Sequence, residues 1–192
     1  MNAYTVERIL KAYEQMVMGE SHEDQNKRYE KGEYSYIPLE LDNFGIQLQT
    51  AAGMVKGPIH FVDVGCGIGT KLITANELVR PAKVTGIEIH KPYVTVARNL
   101  VKSYAEHNAY SLSKFNVIEG DARTQSYKDY DIIYFYCPMS RPTLQQTLEH
   151  RIIRTAKKGA YIITNMKQGG DKLWEDNPKV ERVWKNVIWR KK

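Results

Sequence analysis

"FVDVGCGIGTKL", residues 61–72, is the stretch whose reading decides the fold. An apolar run ends in Asp63, and Gly65, Gly67 and Gly69 follow at alternate positions. A strand that breaks into glycines before a helix lets the backbone approach a charged, nucleotide-like ligand. The dinucleotide fingerprint spaces its glycines G-x-G-x-x-G. Here Thr70 stands where that third glycine belongs. The loop therefore points to a nucleotide-like ligand and departs from the dinucleotide spacing.

Working outward, strand and helix patterns alternate. Residues 59–64, 83–89, 115–120, 130–136 and 160–166 read as buried strands. Helical patterns follow at 69–79, after Pro92, where Tyr93, Ala97, Leu100, Val101 and Tyr104 share a face, and after Pro142. The stretch 179–189 reads as one strand, or as two with a tight turn near Asn186. Upstream, residues 4–18 carry helical spacing, 19–33 are polar and read as a loop or an exposed helix, and 41–54 look helical again. This order implies an α/β fold, a Rossmann-like three-layer sandwich. Its sheet is mostly parallel and twisted, with an antiparallel C-terminal edge and added N-terminal helices. In such sheets ligands bind outside the strand C-terminal ends. Asp63, Glu88, Asp121 and Tyr136 all fall at or just past such ends.

Bulk properties narrow the class. The chain has 192 residues, 42% hydrophobic and 26% charged, which suits one globular unit. No apolar run approaches the roughly 20 residues of a membrane span, and no secretory signal pattern opens the chain, so a cytoplasmic location is expected. Two cysteines, Cys66 and Cys137, make neither a disulfide framework nor a metal set, and no metal is expected. The net charge of +6 permits an acidic partner such as RNA. Basic residues gather at Arg141 to Lys158 and in the tail from Arg182, and the ordinary reading of both is a solvated face.

The series D-x-G-x-G-x-G at 63–69, Glu88, Gly120-Asp121-Ala122 and "DIIY" at 131–134 resembles the class I, Rossmann-like methyltransferases that use S-adenosyl-L-methionine (SAM). The resemblance covers about residues 55–166. It implies a SAM-dependent methyltransferase, whose product is S-adenosylhomocysteine. It also implies that Asp63, Gly65 and Gly67, with Cys66 between them, hold the methionine portion. Glu88 would hold the ribose, Asp121 and Ala122 the adenine edge, and Ile89 the adenine face. An NAD-binding oxidoreductase and a non-catalytic SAM-binding module are the alternatives.

The acceptor must be read from elsewhere. A neutral amine nucleophile is favoured by a dry aromatic pocket. Tyr134 and Tyr136 share a face of their strand, with Tyr136 nearer its end, and Tyr34 and Tyr36 lie upstream. Tyr136 and Tyr36 are the candidate catalytic residues, and Tyr136 also borders the cofactor. "YFYCPMSRP" at 134–142 lacks the Asn/Asp-Pro-Pro-aromatic element of many base-amine methyltransferases. "YIPLE" at 36–40, "FVDVGCGIGTKL" and "YDIIYFY" together resemble the small lysine methyltransferases of the ATP-synthase c-subunit and adenine-nucleotide-translocase type. That resemblance implies a protein lysine as acceptor, with RNA or a small molecule as the other options. Residues 1–54 read as a helical cap or substrate lid, and 55–192 as the SAM-binding domain. A C-terminal edge with too few residues for two strands would favour a homodimer.

Overall fold

Val, Ile, Phe and Tyr dominate the runs that pair into one sheet of seven strands, in the order β3-β2-β1-β4-β5-β7-β6. The computed structural model describes residues 21–33, 41–165, 173–185 and 187–192. The expected helix over 4–18, and Tyr34 and Tyr36, lie outside the described residues.

The strands are β1 (His60–Val64), β2 (Lys83–Glu88), β3 (Phe115–Glu119), β4 (Ile132–Tyr136), β5 (Tyr161–Asn165), β6 (Val180–Trp184) and β7 (Ile188–Lys191). The first five run parallel, and β7 is antiparallel to both β5 and β6. The helices are α1 (His22–Glu30), α2 (Leu41–Met54), α3 (Thr70–Val79), α4 (Lys91–His107) and α5 (Pro142–Thr155). The fold class read from the sequence is the one observed. Of the two readings of 179–189, the pair of strands is correct. Because that pair completes the edge, the short-edge argument for a homodimer no longer holds.

Period-two alternation divides the core into two layers around the sheet. Phe61, Tyr134 and Ile163 face α2, α3 and α4, meeting Phe44, Leu72 and Val94. Val62, Ile133 and Ile162 face α5 and the two tryptophans Trp174 and Trp189. Of the two readings of 19–33, the helix is observed over His22–Glu30, followed by a turn and a bridge from Glu33 to Met139. Ser21 and Asp24 cap α1 reciprocally, each bonding the other's backbone N–H.

The strand order reverses between β1 and β4, which opens a crevice at the C-terminal ends of the central strands. Among the described residues no helix is long and apolar enough to cross a membrane. None of their His, Cys, Asp and Glu side chains form a group of three or more that could hold a metal ion.

Candidate active site

The glycine loop is folded back onto β2. The N–H groups of Gly65 and Cys66 both donate to the Ile87 carbonyl, at 2.9 and 3.0 Å. Gly67 N–H donates to Glu88 Oε2 at 2.9 Å. Gly65 has φ +78°, and a Cβ there would stand 2.6 Å from Pro138 Cβ. The loop can pass this close to the β4 loop only without a side chain. Gly69 plays another part. It starts α3 with φ +84°, and its missing Cβ leaves room for Ala97.

Around this loop lies a cleft of about 300 Å³, lined by parts of α1 to α5, by the ends of β2, β4 and β5 and by the loops after β1 and β3. That is the lower end of the range for small-molecule sites, ~300–1,000 Å³. Gly65, Cys66, Gly67, Glu88, Ile89, Ala122 and Tyr136 all line it. Ile89 is 41% exposed, which for an isoleucine at a strand end leaves an apolar face turned to the cleft. The Cys66 thiol is different: it packs into the core against Gly86, and burial pushes its pKa up. Only the Cys66 backbone is placed to meet a ligand.

Glu88 is nearly fully buried and accepts three backbone N–H groups. Oε1 takes Ile89 and His90, both at 2.9 Å, and Oε2 takes Gly67. Burial raises its pKa, while these N–H donors and the Arg28 charge pull the other way. Two oxygens offer about four lone-pair positions, so one remains, on Oε2.

Two sequence-derived site residues do not line the cleft. Asp63 is buried beneath the loop at 1% exposure, and its Oδ2 has no hydrogen-bond partner. Burial pushes its pKa up to about 7; Lys71 lowers it and Glu88 raises it further. Asp121 is turned toward Arg123, which grips the carboxylate through Nη2 at 2.7 Å and Nε at 3.0 Å. These bonds hold the Asp121 carboxyl below its usual range. Its neighbours Gly120, Ala122 and Arg123 line the cleft in its place.

On the other side, Asp63 is in register with Tyr134, and Tyr136 with Asn165, so one sheet face carries all four to the same rim. Tyr134 is core, edge-on to Phe44 at 4.8 Å. Tyr136 is half-buried and lines the cleft. Gln47 of α2 and Asn165 of β5 exchange two amide hydrogen bonds, at 3.0 and 2.9 Å. Lys71, in the first turn of α3, places Nζ 5.7 Å from the Tyr134 ring centroid. Cys137 follows β4 in a strained φ of +40°, with its thiol buried and 3.7 Å from the Met139 carbonyl.

The segment 21–33 covers one end. Arg28 is 7% exposed, donates to Tyr93 Oη at 2.6 Å and reaches Glu33 at 3.4 Å. Ser140 N–H donates to the Gly32 carbonyl, fastening this cover to the β4 loop. Sequence reasoning missed Arg28, Gln47, Lys71 and Asn165. Lys71 alone sat inside the quoted motif.

Compared with known proteins, residues 56–192 match the family described as a methyltransferase domain. No curated protein matches the chain. Among solved structures, the fold is similar to an RNA methyltransferase from Salinibacter ruber in complex with S-adenosyl-L-homocysteine. The TM-score is 0.53 at 18% identity, over 67% of this chain and 76% of that one. It is also similar to StiE O-MT, with TM-score 0.52 and 20% identity over 69% of this chain and 50% of that one. A third is geranyl diphosphate C-methyltransferase from Streptomyces coelicolor A3(2), with TM-score 0.50 and 14% identity over 62% and 43%. This chain thus spans half or less of the last two. At these identities the likeness concerns fold alone.

Proposed function

The chain belongs to the methyltransferase-domain family of class I, SAM-dependent enzymes, and from that premise we propose that its cleft holds SAM over the glycine loop and delivers the methyl group to an amine beside Tyr136, that of a protein lysine. Family membership selects this over the dinucleotide oxidoreductase. The fit to SAM rests on an orphaned buried atom, Asp63 Oδ2, beneath a loop whose glycine leaves space against Pro138. An unsatisfied buried carboxylate oxygen costs free energy unless a ligand or proton meets it.

In this reading Asp63 and the Gly65–Gly67 backbone hold the amino-acid portion. The free lone pair of Glu88 Oε2 takes one ribose hydroxyl, and a second hydroxyl must displace one of the backbone donors. Ile89 lies on the adenine face, and Ala122 on its edge. Asp121 reaches the adenine amine only by sharing its carboxylate with Arg123. SAM supplies a methyl group already activated by the sulfonium. The chain has only to align a nucleophile in line and keep water out. Tyr136 and the Gln47–Asn165 amides form the wall where an acceptor would rest. Burial there, and the nearby Lys71 charge, favour the neutral form of an amine. Tyr36 is proposed as a second aromatic wall. Residues 1–54 act as cap and lid over the domain 55–192, supported by α1 and the Gly32–Ser140 bond. A cytoplasmic location is part of this reading.

RNA is the competing acceptor. The net charge of +6 allows it, but much of the basic cluster at 141–158 is bound within the fold. Arg141 donates to the Glu30 carbonyl, Arg151 to those of Thr124 and Gln125, and Lys157 pairs with Asp131.

Calorimetric titration with SAM and S-adenosylhomocysteine tests the cofactor. Both should bind the wild type, and Glu88→Ala should weaken both by ~10-fold or more. No binding to the folded wild type would overturn the reading. Labelled methyl transfer to protein, RNA and metabolite fractions then tests the acceptor. Label confined to RNA would remove the lysine.

A further inference from the structure

An α-amino acid head carries an ammonium and a carboxylate on one carbon. A site that reads it needs an anion and a cation side by side. Asp63, buried and without a hydrogen-bond partner on Oδ2, supplies the anion when a ligand ammonium favours its ionised form. Four basic side chains line the cleft: Arg28, Lys31, Lys71 and Arg123. Arg28 is bound to Tyr93 and Glu33, and Arg123 is bound to Asp121. Lys31 is exposed on the α1 cover. Lys71 makes no ion pair at contact distance among the described residues. It stands at the start of α3, directly after the glycine loop that follows β1, and lines the cleft with Gly65 and Gly67.

We propose that Lys71 is the anchor for the carboxylate of the cofactor's amino-acid head, acting with Asp63 as its ammonium partner. The proposal rests on the SAM reading above and adds a specificity-determining residue to it. Several observations agree. The charges of Lys71 and Asp63 act on each other through the protein. The α3 N-terminus has no acidic residue in its first turn and no side-chain cap, so its positive end adds to the Lys71 field. Nζ lies 5.7 Å from the Tyr134 ring centroid, an aromatic face that favours a cation on this wall of the cleft. The glycine loop joins the two residues, with Asp63 buried beneath it and Lys71 on the cleft wall beside it.

The test is calorimetry with three ligands: SAM, S-adenosylhomocysteine and 5′-methylthioadenosine, which keeps adenosine and sulfur but lacks the amino-acid head. Lys71→Met should weaken SAM and S-adenosylhomocysteine by ~10-fold to ~100-fold and leave 5′-methylthioadenosine unchanged. Lys71→Arg, which keeps the charge, should restore most of the loss. Equal weakening of all three ligands by Lys71→Met, or unchanged SAM affinity, would overturn the assignment of Lys71. Failure of the wild type to bind any of the three would overturn the SAM reading itself.

Discussion

At the scale of single residues, Asp63 carries a burial cost that no hydrogen bond to Oδ2 offsets. In the folded chain burial keeps it protonated up to about pH 7, whereas in the unfolded chain it ionises near ~3.9. The folded state therefore binds this proton more tightly. The stability so gained is complete below about pH 4 and is lost as pH rises through about 7. Asp63→Asn, neutral throughout, should gain on the wild type as pH rises. The melting-temperature difference, mutant minus wild type, should be more positive at pH 8 than at pH 5.5. A constant difference would mean that Asp63 is ionised in the fold at both values. Gly86 offers a test of packing alone. A Cβ on this strand residue would stand 2.5 Å from Cys66 Sγ and 2.9 Å from Leu72 Cδ1. Gly86→Ala should cost about 1–3 kcal/mol in urea unfolding, and a second change, Cys66→Ala, should recover much of it. Asp63, Glu88 and Ile89 were legible because each stands at the end of an apolar strand run, a local signal. The sequence did not carry Gln47 and Asn165, which lie 118 residues apart and meet only in the fold. Nor could it show that Arg123 occupies Asp121, since a pattern names a side chain and not its rotamer.

Among the elements, α5 fixes the loop that floors the site. Gln145 and Glu149 lie one turn apart, both fully buried. Gln145 accepts the Met139 N–H at 3.2 Å and donates to Glu149 Oε1 at 3.0 Å. Glu149 Oε2 accepts the Trp174 indole N–H at 2.9 Å. Glu149→Ala strands two donors and should destabilise by about 3 kcal/mol. Glu149→Gln, which keeps an oxygen for Trp174, should lose less. Equal losses in thermal unfolding would show that these bonds add nothing beyond packing. In sequence, α5 was evident from its apolar face, yet the buried polar residues within it looked like solvent-facing ones. The helix α1 had a legible signal in Ser21-x-x-Asp24. The polar composition of 19–33 obscured it, because α1 has little apolar face of its own and is held by its caps and by Arg28.

For the whole molecule, the parallel sheet followed from the alternation of strand and helix. So did its antiparallel C-terminal edge; whether that edge held one strand or two did not, because a short apolar run cannot say whether it turns back on itself. The net positive charge, too, is distributed differently from its sequence clusters: Arg182 pairs with Glu175, and Arg190 with Glu181. The sheet order has a consequence for assembly. Strand β6 touches the sheet only through β7, which sits between it and β5. Synthesis and assembly therefore run in opposite orders. The ribosome emits β6 first, yet it has no partner until β7 has followed it and no place in the sheet until β7 has docked on β5. During that interval Val180–Trp184 is an open strand edge in a nascent chain, exposed to mispairing with other chains. Insertion of four residues, Ile188–Lys191, closes that interval.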